Sequence, residues 1–270
     1  MSPADLQVIP SALNGVITVG NFDGVHRGHQ QMLRTLREIA AEHSAPAVVV
    51  TFDPHPLSLL RPDDPLPRLT SISRRIQLLK EYGADEVVVL PVTKELLAMS
   101  ADEFFHQIVI ERLSAVGMVE GPNFHFGRDR GGDVHYLKQL CSAAGISFQV
   151  IHPVEDEGQL ISSSRIRTLL GEGQVLDAVA MTGHAHRISG VVSRGAGRGN
   201  TIGFPTANLA EISTITPAAG VYAGRALLNG TERHPAAIHI GPNPTFGEAA
   251  MKVEAHLIGF SGDLYGARLD

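Results

Sequence analysis

The 270-residue chain is 43% hydrophobic, enough to bury one large core or two modest ones. Its 22 basic and 28 acidic side chains give a net charge of −6, which argues against a surface that wraps nucleic acid or coats an anionic membrane, so phosphate must be bound locally. Cys141, the single cysteine, cannot close an intrachain disulfide, and neither a signal-peptide pattern nor a membrane-length apolar run is present, so the expectation is a cytoplasmic protein.

Val16-Ile17-Thr18-Val19 reads as a strand, and residues 30–41 read as a helix in which Met32, Leu33, Leu36, Ile39 and Ala40 share one face. A second strand over 47–52 ends at Asp53-Pro54-His55-Pro56, and a third over 86–90 ends at Pro91. Further strands are expected at 116–120 and 147–151, with helices at 100–113 and 133–144. Strands this apolar are buried on both faces, and the alternation predicts an α/β fold with a doubly wound parallel sheet over residues 1–186. After Arg167, Gly171, Gly173 and Gly183 punctuate a short helical stretch. Strand-like runs then follow at 188–193, 221–228, 235–240 and 253–258, fitting a small antiparallel β-barrel or sandwich over residues 187–270.

The segment Gly20-Asn21-Phe22-Asp23-Gly24-Val25-His26-Arg27-Gly28-His29 falls between the first strand and the first helix, where a doubly wound fold places its ligands. Its glycines allow close backbone approach, and the helix start offers N–H groups and a positive dipole end to a phosphate. His26 and His29 stand on one turn, where two imidazoles can stabilise charge on a phosphate in transfer. The plain alternative is a connecting turn with packed histidines. A metal site is a second alternative, but no thiolate or third ligand accompanies the pair. Ser162, Ser163 and Ser164 begin an apparent helix whose Arg165 and Arg167 can meet a polyphosphate or face solvent. Farther on, the Gly-rich stretch from Gly195 to Asn208 can fold over phosphates or form a hairpin loop, and it lacks the Gly-Lys-Ser/Thr ending of a Walker loop. Glu254 lies on an alternating strand, as a base or as an exposed side chain.

Four motifs in order carry a resemblance. His26-Arg27-Gly28-His29 is similar to the HxGH signature of the nucleotidyltransferase superfamily, which includes class I aminoacyl-tRNA synthetase catalytic domains. With Thr51-Phe52-Asp53-Pro54-His55-Pro56, Asn123-Phe124-His125-Phe126-Gly127 and Ile161-Ser162-Ser163-Ser164-Arg165-Ile166-Arg167, the longer segment resembles the adenylyltransferase module of bacterial bifunctional riboflavin kinase/FAD synthetase. Gly203-Phe204-Pro205-Thr206-Ala207-Asn208 resembles the riboflavin kinase signature, as do the stretches 240–246 and 263–266.

The resemblance implies two ATP-dependent steps, riboflavin to FMN and FMN to FAD, with riboflavin, FMN and ATP as small-molecule partners and no nucleic acid or membrane. It implies that His26 and His29 stabilise the adenylylation transition state, that Arg165 binds the β,γ-phosphates, and that Gly20, Asn21, Phe22, Asp23, Gly24, Asn123, Ser163 and Ser164 line the nucleotide site. In the kinase half it implies nucleotide contacts from Gly195, Arg198, Gly199 and Gly203, Mg2+ held by Thr206 and Asn208, and Glu254 as the base. Ser164 stands where the family has threonine, Asn200 where it has arginine, and Gly183-His184-Ala185-His186 where it has a Gly-Arg-Pro-Tyr-like segment. The family continues beyond the match to Asp270, so the resemblance also implies a C-terminally truncated barrel with an exposed edge. An adenylyltransferase with an inactive kinase half, and a flavin- or nucleotide-binding regulator without turnover, are the alternatives.

Overall fold

The computed structural model describes residues 10–64, 66–152, 155–156, 158–194, 205–243 and 248–270. The chain forms two compact units, Met1–Leu66 with Ile72–Ser162, and Pro67–Ser71 with Ser163–Asp270.

In the first unit the order is β1 (Val16–Val19), α1 (Arg27–Glu42), β2 (Ala47–Asp53), α2 (Pro56–Leu60), α3 (Ile72–Glu81), β3 (Glu86–Pro91), α4 (Lys94–Ala98) and α5 (Ala101–Phe104). There follow β4 (Gly117–Glu120), a short hairpin of β5 (His125–Phe126) and β6 (Gly132–Asp133), α6 (Val134–Ala144), β7 (Ser147–Val150) and a second hairpin, β8 (Glu155–Asp156) with β9 (Gln159–Leu160). The main sheet runs β3-β2-β1-β4-β7, with every pair parallel. Ile17 and Val19 pack into one core with Val48, Val50, Phe105, Ile108, Leu137 and Cys141; Val16 packs into the opposite one with Leu33, Leu36, Leu78 and Leu79. The sheet is therefore doubly wound, and burial on both faces explains why its strands read as unbroken apolar runs.

The helix expected over 100–113 is α-helical only to Phe104. Residues Phe105–Arg112 continue as a π-helix, and the Leu113 N–H donates to the Ile108 carbonyl at 3.1 Å. Its buried residues are Phe105, Ile108 and Val109, which pack into the core beside Phe104 and Leu113. Apolar periodicity did not single out α3; an arginine, Arg75, sits on its buried face beside Leu78 and Leu79.

The second unit starts with α7 (Ser163–Gly171) and α8 (Val175–Thr182), joined to the following loops where the Ala218 N–H donates to the Leu170 carbonyl at 3.0 Å. β10 (Gly190–Ser193), β11 (Ala207–Ala210), β12 (Gly220–Leu228), β13 (Glu232–Asn243), β14 (Glu248–Leu257) and β15 (Arg268–Leu269) form an antiparallel barrel in the order β10-β11-β14-β13-β12-β15. The signature segment read as a loop thus ends in a strand, β11.

The barrel is closed, which corrects the expected incomplete barrel with an open edge. β15 pairs with β10 at Val191↔Arg268 and Gly190↔Leu269 and with β12 at Leu228↔Leu269. The Asp270 carbonyl accepts from the Leu227 N–H at 2.8 Å, and the Asp270 N–H returns a bond at 3.1 Å. Two residues suffice because Leu269, 1% exposed, inserts among Val192, Ala226, Leu228, Ala236 and Leu257. Burying such a side chain contributes about 1.5–3 kcal/mol. Leu269→Ala is expected to lower the barrel's unfolding free energy by about 2–5 kcal/mol. Denaturant unfolding checks this, and unchanged stability would mean that β15 does not carry the closure.

Candidate active site

β1 occupies the middle of the sheet, and strand order reverses between β1 and β4, so the crevice at their C-terminal ends is the topological switch point. The loop out of β1 is tightly wound. Phe22, Gly24 and Val25 have φ of 48°, 82° and 37°. A left-handed conformation at a β-branched residue such as Val25 costs on the order of 1–3 kcal/mol and persists only where packing over-determines it. Here Val25 and Phe22 are buried in the core over α1, the Val25 N–H bonds to the Phe22 carbonyl at 3.1 Å, and the Gln30 amide donates to the Val25 carbonyl at 2.8 Å.

The loop delivers His26 as the N-cap of α1, where its Nδ1 accepts from the His29 N–H at 3.3 Å. An accepting Nδ1 leaves the proton of the neutral ring on Nε2. The His29 ring stacks on His26 with centroids 3.6 Å apart and planes 18° apart, and Phe22 meets it edge-on with centroids 5.0 Å apart. Gly28 leaves the stack room, since a Cβ there would stand a tight 3.1 Å from Cε1 and Nδ1 of His26. Burial lowers the His26 pKa from 6.5 to about 4, against smaller raising contributions from its own backbone and Asp23. His29 is also held well below its ordinary value, by burial first, then by His26 and Arg75. Both rings are thus neutral at neutral pH. Among the described residues, His29 Nδ1 and Asn21 Oδ1 are buried polar atoms without a hydrogen-bond partner, so one short loop holds two groups suited to a polar ligand.

Asp23 is bound to Arg75 at 3.3 Å, with both side chains buried, and Arg75 also donates to the Phe52 carbonyl at 3.3 Å. This arginine was not among the residues expected from sequence; an arginine on the apolar face of residues 72–81 was the available signal. The Thr51 hydroxyl donates to the Asn21 carbonyl at 3.1 Å, which joins the end of β2 to the same loop. His55 accepts the Leu57 N–H at 3.1 Å as the N-cap of α2. Asn123 is exposed on the turn after β4, where Phe124 and Phe126 stack at 5.6 Å. Ser163, Ser164 and Arg165 form the first turn of α7, in the second unit, where Arg167 donates to the Pro67 carbonyl at 2.7 Å.

In the barrel, register brings Asn208 directly opposite Glu254, with Ser193 beyond Asn208 and His239 beyond Glu254. Val192, Ala207, Val253, Ala255, Ile238 and Ile240 alternate with these four and point inward, so the polar rung lies on the outer face. Thr206 is exposed two residues before Asn208, and His256 is bonded to the Pro205 carbonyl at 2.8 Å. Gly195, Arg198, Gly199 and Gly203 lie outside the described residues.

The two units correspond to two family matches: FAD synthetase over residues 9–165 and riboflavin kinase over residues 182–270. The bifunctional riboflavin kinase/FMN adenylyltransferase of Escherichia coli K12 is 34% identical over 254 residues, covering 94% of this chain and 81% of the relative. Those of Pseudomonas fluorescens and Bacillus subtilis are 36% and 34% identical at the same coverage. This chain belongs to the bifunctional riboflavin kinase/FMN adenylyltransferase family. A solved structure titled as a macrolide-efflux protein from Streptococcus pneumoniae has the same fold, with a TM-score of 0.85, 30% identity, and coverage of 99% of this chain and 86% of that one. No helix among the described residues is long and apolar enough to cross a membrane.

The depressed His26 pKa has a consequence for stability. As pH falls through 6.5 the unfolded chain takes up a proton that the folded ring refuses until about 4, so the folded state loses about 3 kcal/mol across that window. Wild-type protein is expected to lose more melting temperature between about pH 6.5 and about pH 4 than His26→Asn, which keeps a capping oxygen but does not titrate. Parallel losses would show that His26 contributes none of the slope.

Proposed function

We propose that this chain makes flavin cofactors in two steps, phosphorylating riboflavin to FMN in residues 187–270 and adenylylating FMN to FAD in residues 1–186. The observation that carries the second step is the neutral His26–His29 stack at the switch point, at the start of α1.

In that step an FMN phosphate oxygen attacks the α-phosphorus of ATP, the bond to the β-phosphate oxygen breaks, and pyrophosphate leaves. Charge builds on the non-bridging oxygens in the transition state. His26 offers them Nε2–H from a ring already fixed by its capping bond, so little reorganisation is needed as the charge develops. His29, in ring contact with both His26 and Phe22, supplies a second donor. Asn21, Gly20, Phe22, Asp23 and Gly24 shape the nucleotide's seat, with Asn123, Ser163 and Ser164 as further contacts and Arg165 the cation for the β,γ-phosphates.

In the first step the riboflavin 5′-hydroxyl attacks the γ-phosphorus of ATP, ADP leaves, and Glu254 accepts the hydroxyl proton. Asn208 on the neighbouring strand and Thr206 offer neutral oxygen donors beside that carboxylate. Thr206 and Asn208 offer only a few oxygen donors, which suits Mg2+, since it keeps waters and takes substrate phosphates as its remaining ligands. Thr206 and Asn208 would hold it, and it would neutralise phosphate charge there. The closed barrel supports a working kinase half over a chain that only adenylylates. The site of action we infer is the cytoplasm, where ATP is supplied.

Purified protein is expected to convert riboflavin and Mg-ATP to FMN and then FAD; failure to form FAD from FMN would refute the adenylylation assignment. His29→Ala is expected to lower that turnover by about 10²–10³-fold while ATP binding persists in calorimetry. Glu254→Gln is expected to lower riboflavin phosphorylation by about 10²–10⁴-fold and leave adenylylation of supplied FMN intact.

A further inference from the structure

Glu120 closes β4 at the switch point and is 1% exposed, yet it belongs to none of the motifs above. A carboxyl so deeply placed is costly unless its hydrogen bonds compensate, and its surroundings give it a specific partner.

On one flank β1 stays paired with β2 to the end of the strand, through Val19↔Val50 and a 3.0 Å bond from the Gly20 N–H to the Val50 carbonyl. On the other flank the ladder with β4 stops early, after Val16↔Gly117 and Ile17↔Met118. Successive N–H groups of a strand alternate sides, so with Gly20 turned toward β2, the Val19 N–H points toward β4, past the last ladder pair. It donates to the Glu120 side chain, to Oε1 at 2.7 Å, in a buried contact. The Glu120 backbone is occupied elsewhere: it pairs with Val150 of β7, and its carbonyl accepts the Ile151 N–H at 2.9 Å. A glutamate side chain thus stands where a main-chain ladder bond would have been. Val19 leads into the histidine loop and Glu120 into the turn carrying Asn123, so one bond ties the bases of the two loops that leave the crevice.

We propose that Glu120 is a positioning residue for FMN adenylylation, its carboxyl replacing the missing β1–β4 ladder bond and fixing the separation of the two strand ends. The inference rests on the reading of this crevice as the adenylylation site. Burial holds the carboxyl pKa well above the usual range, which favours the neutral acid, and glutamine keeps its length and its accepting oxygen. Leucine would fill similar space but leave the Val19 N–H without an acceptor, free to let the strand ends drift.

The kinase reaction of the same polypeptide supplies an internal control. Glu120→Leu is expected to lower kcat/KM for FAD synthesis from FMN and ATP by on the order of tenfold or more, since small misplacements of reacting groups are amplified in rate. Riboflavin phosphorylation should be unchanged, and Glu120→Gln should restore FAD synthesis to within about twofold. If Glu120→Leu fails to fold, Glu120→Asp decides, because its shorter arm keeps a carboxyl but cannot span to Val19; it should show raised KM for ATP and FMN. Undiminished FAD synthesis in a folded Glu120→Leu or Glu120→Asp protein overturns the proposal, as does a parallel fall in both reactions. Wild-type protein that makes no FAD from FMN would instead fail the site reading beneath it.

Discussion

The hydrogen bond from the His29 N–H to Nδ1 of His26 fixes three features of the first unit at once. It starts α1, since a cap satisfies a backbone donor that the helix itself cannot. It also settles which ring nitrogen carries the proton, and it sets the His26 ring under His29 in a stack that a side chain at position 28 would crowd. In the proposed adenylylation site these two rings would meet phosphate oxygens as neutral donors rather than as cations. The neutral rings tolerate burial, and in the proposed reaction their donors would act as negative charge develops, where low dielectric strengthens each hydrogen bond.

That arrangement is supported from beneath. Asp23 and Arg75 form a buried pair that ties the loop to α3 and, through the Phe52 carbonyl, to the end of β2. Removing one partner of such a pair leaves an uncompensated charge, so the two residues stand or fall together. The strained backbone at Phe22 and Val25 is held by the same packing. The barrel follows a different rule. Strand pleating sends alternate residues inward and outward, so the register that buries Ala207, Val253 and Ile240 also lines up Asn208 and Glu254 outside.

Much of this was legible in the residues. Every strand of the parallel sheet was expected within one or two positions, because strands buried on both faces must be apolar throughout. The π-helix was not, since its buried Phe105, Ile108 and Val109 keep the spacing of an ordinary α-helical face. Nor was α3, whose buried arginine breaks an apolar face. The two-residue β15 is too short for any pattern to mark, and only the pocket awaiting Leu269 makes it a strand.

The sequence by itself determined the doubly wound sheet, the loop holding His26 and His29, and the pairing of a nucleotidyltransferase half with a kinase half, because periodicity and short motifs are local properties. Tertiary structure alone decided that the barrel closes, that Arg75 meets Asp23, and that Glu120 reaches Val19 across the place where two strands part. Each of those contacts joins residues distant in the chain, 52 and 101 positions apart for the last two. Their meeting depends on strand order and register, which no local pattern encodes.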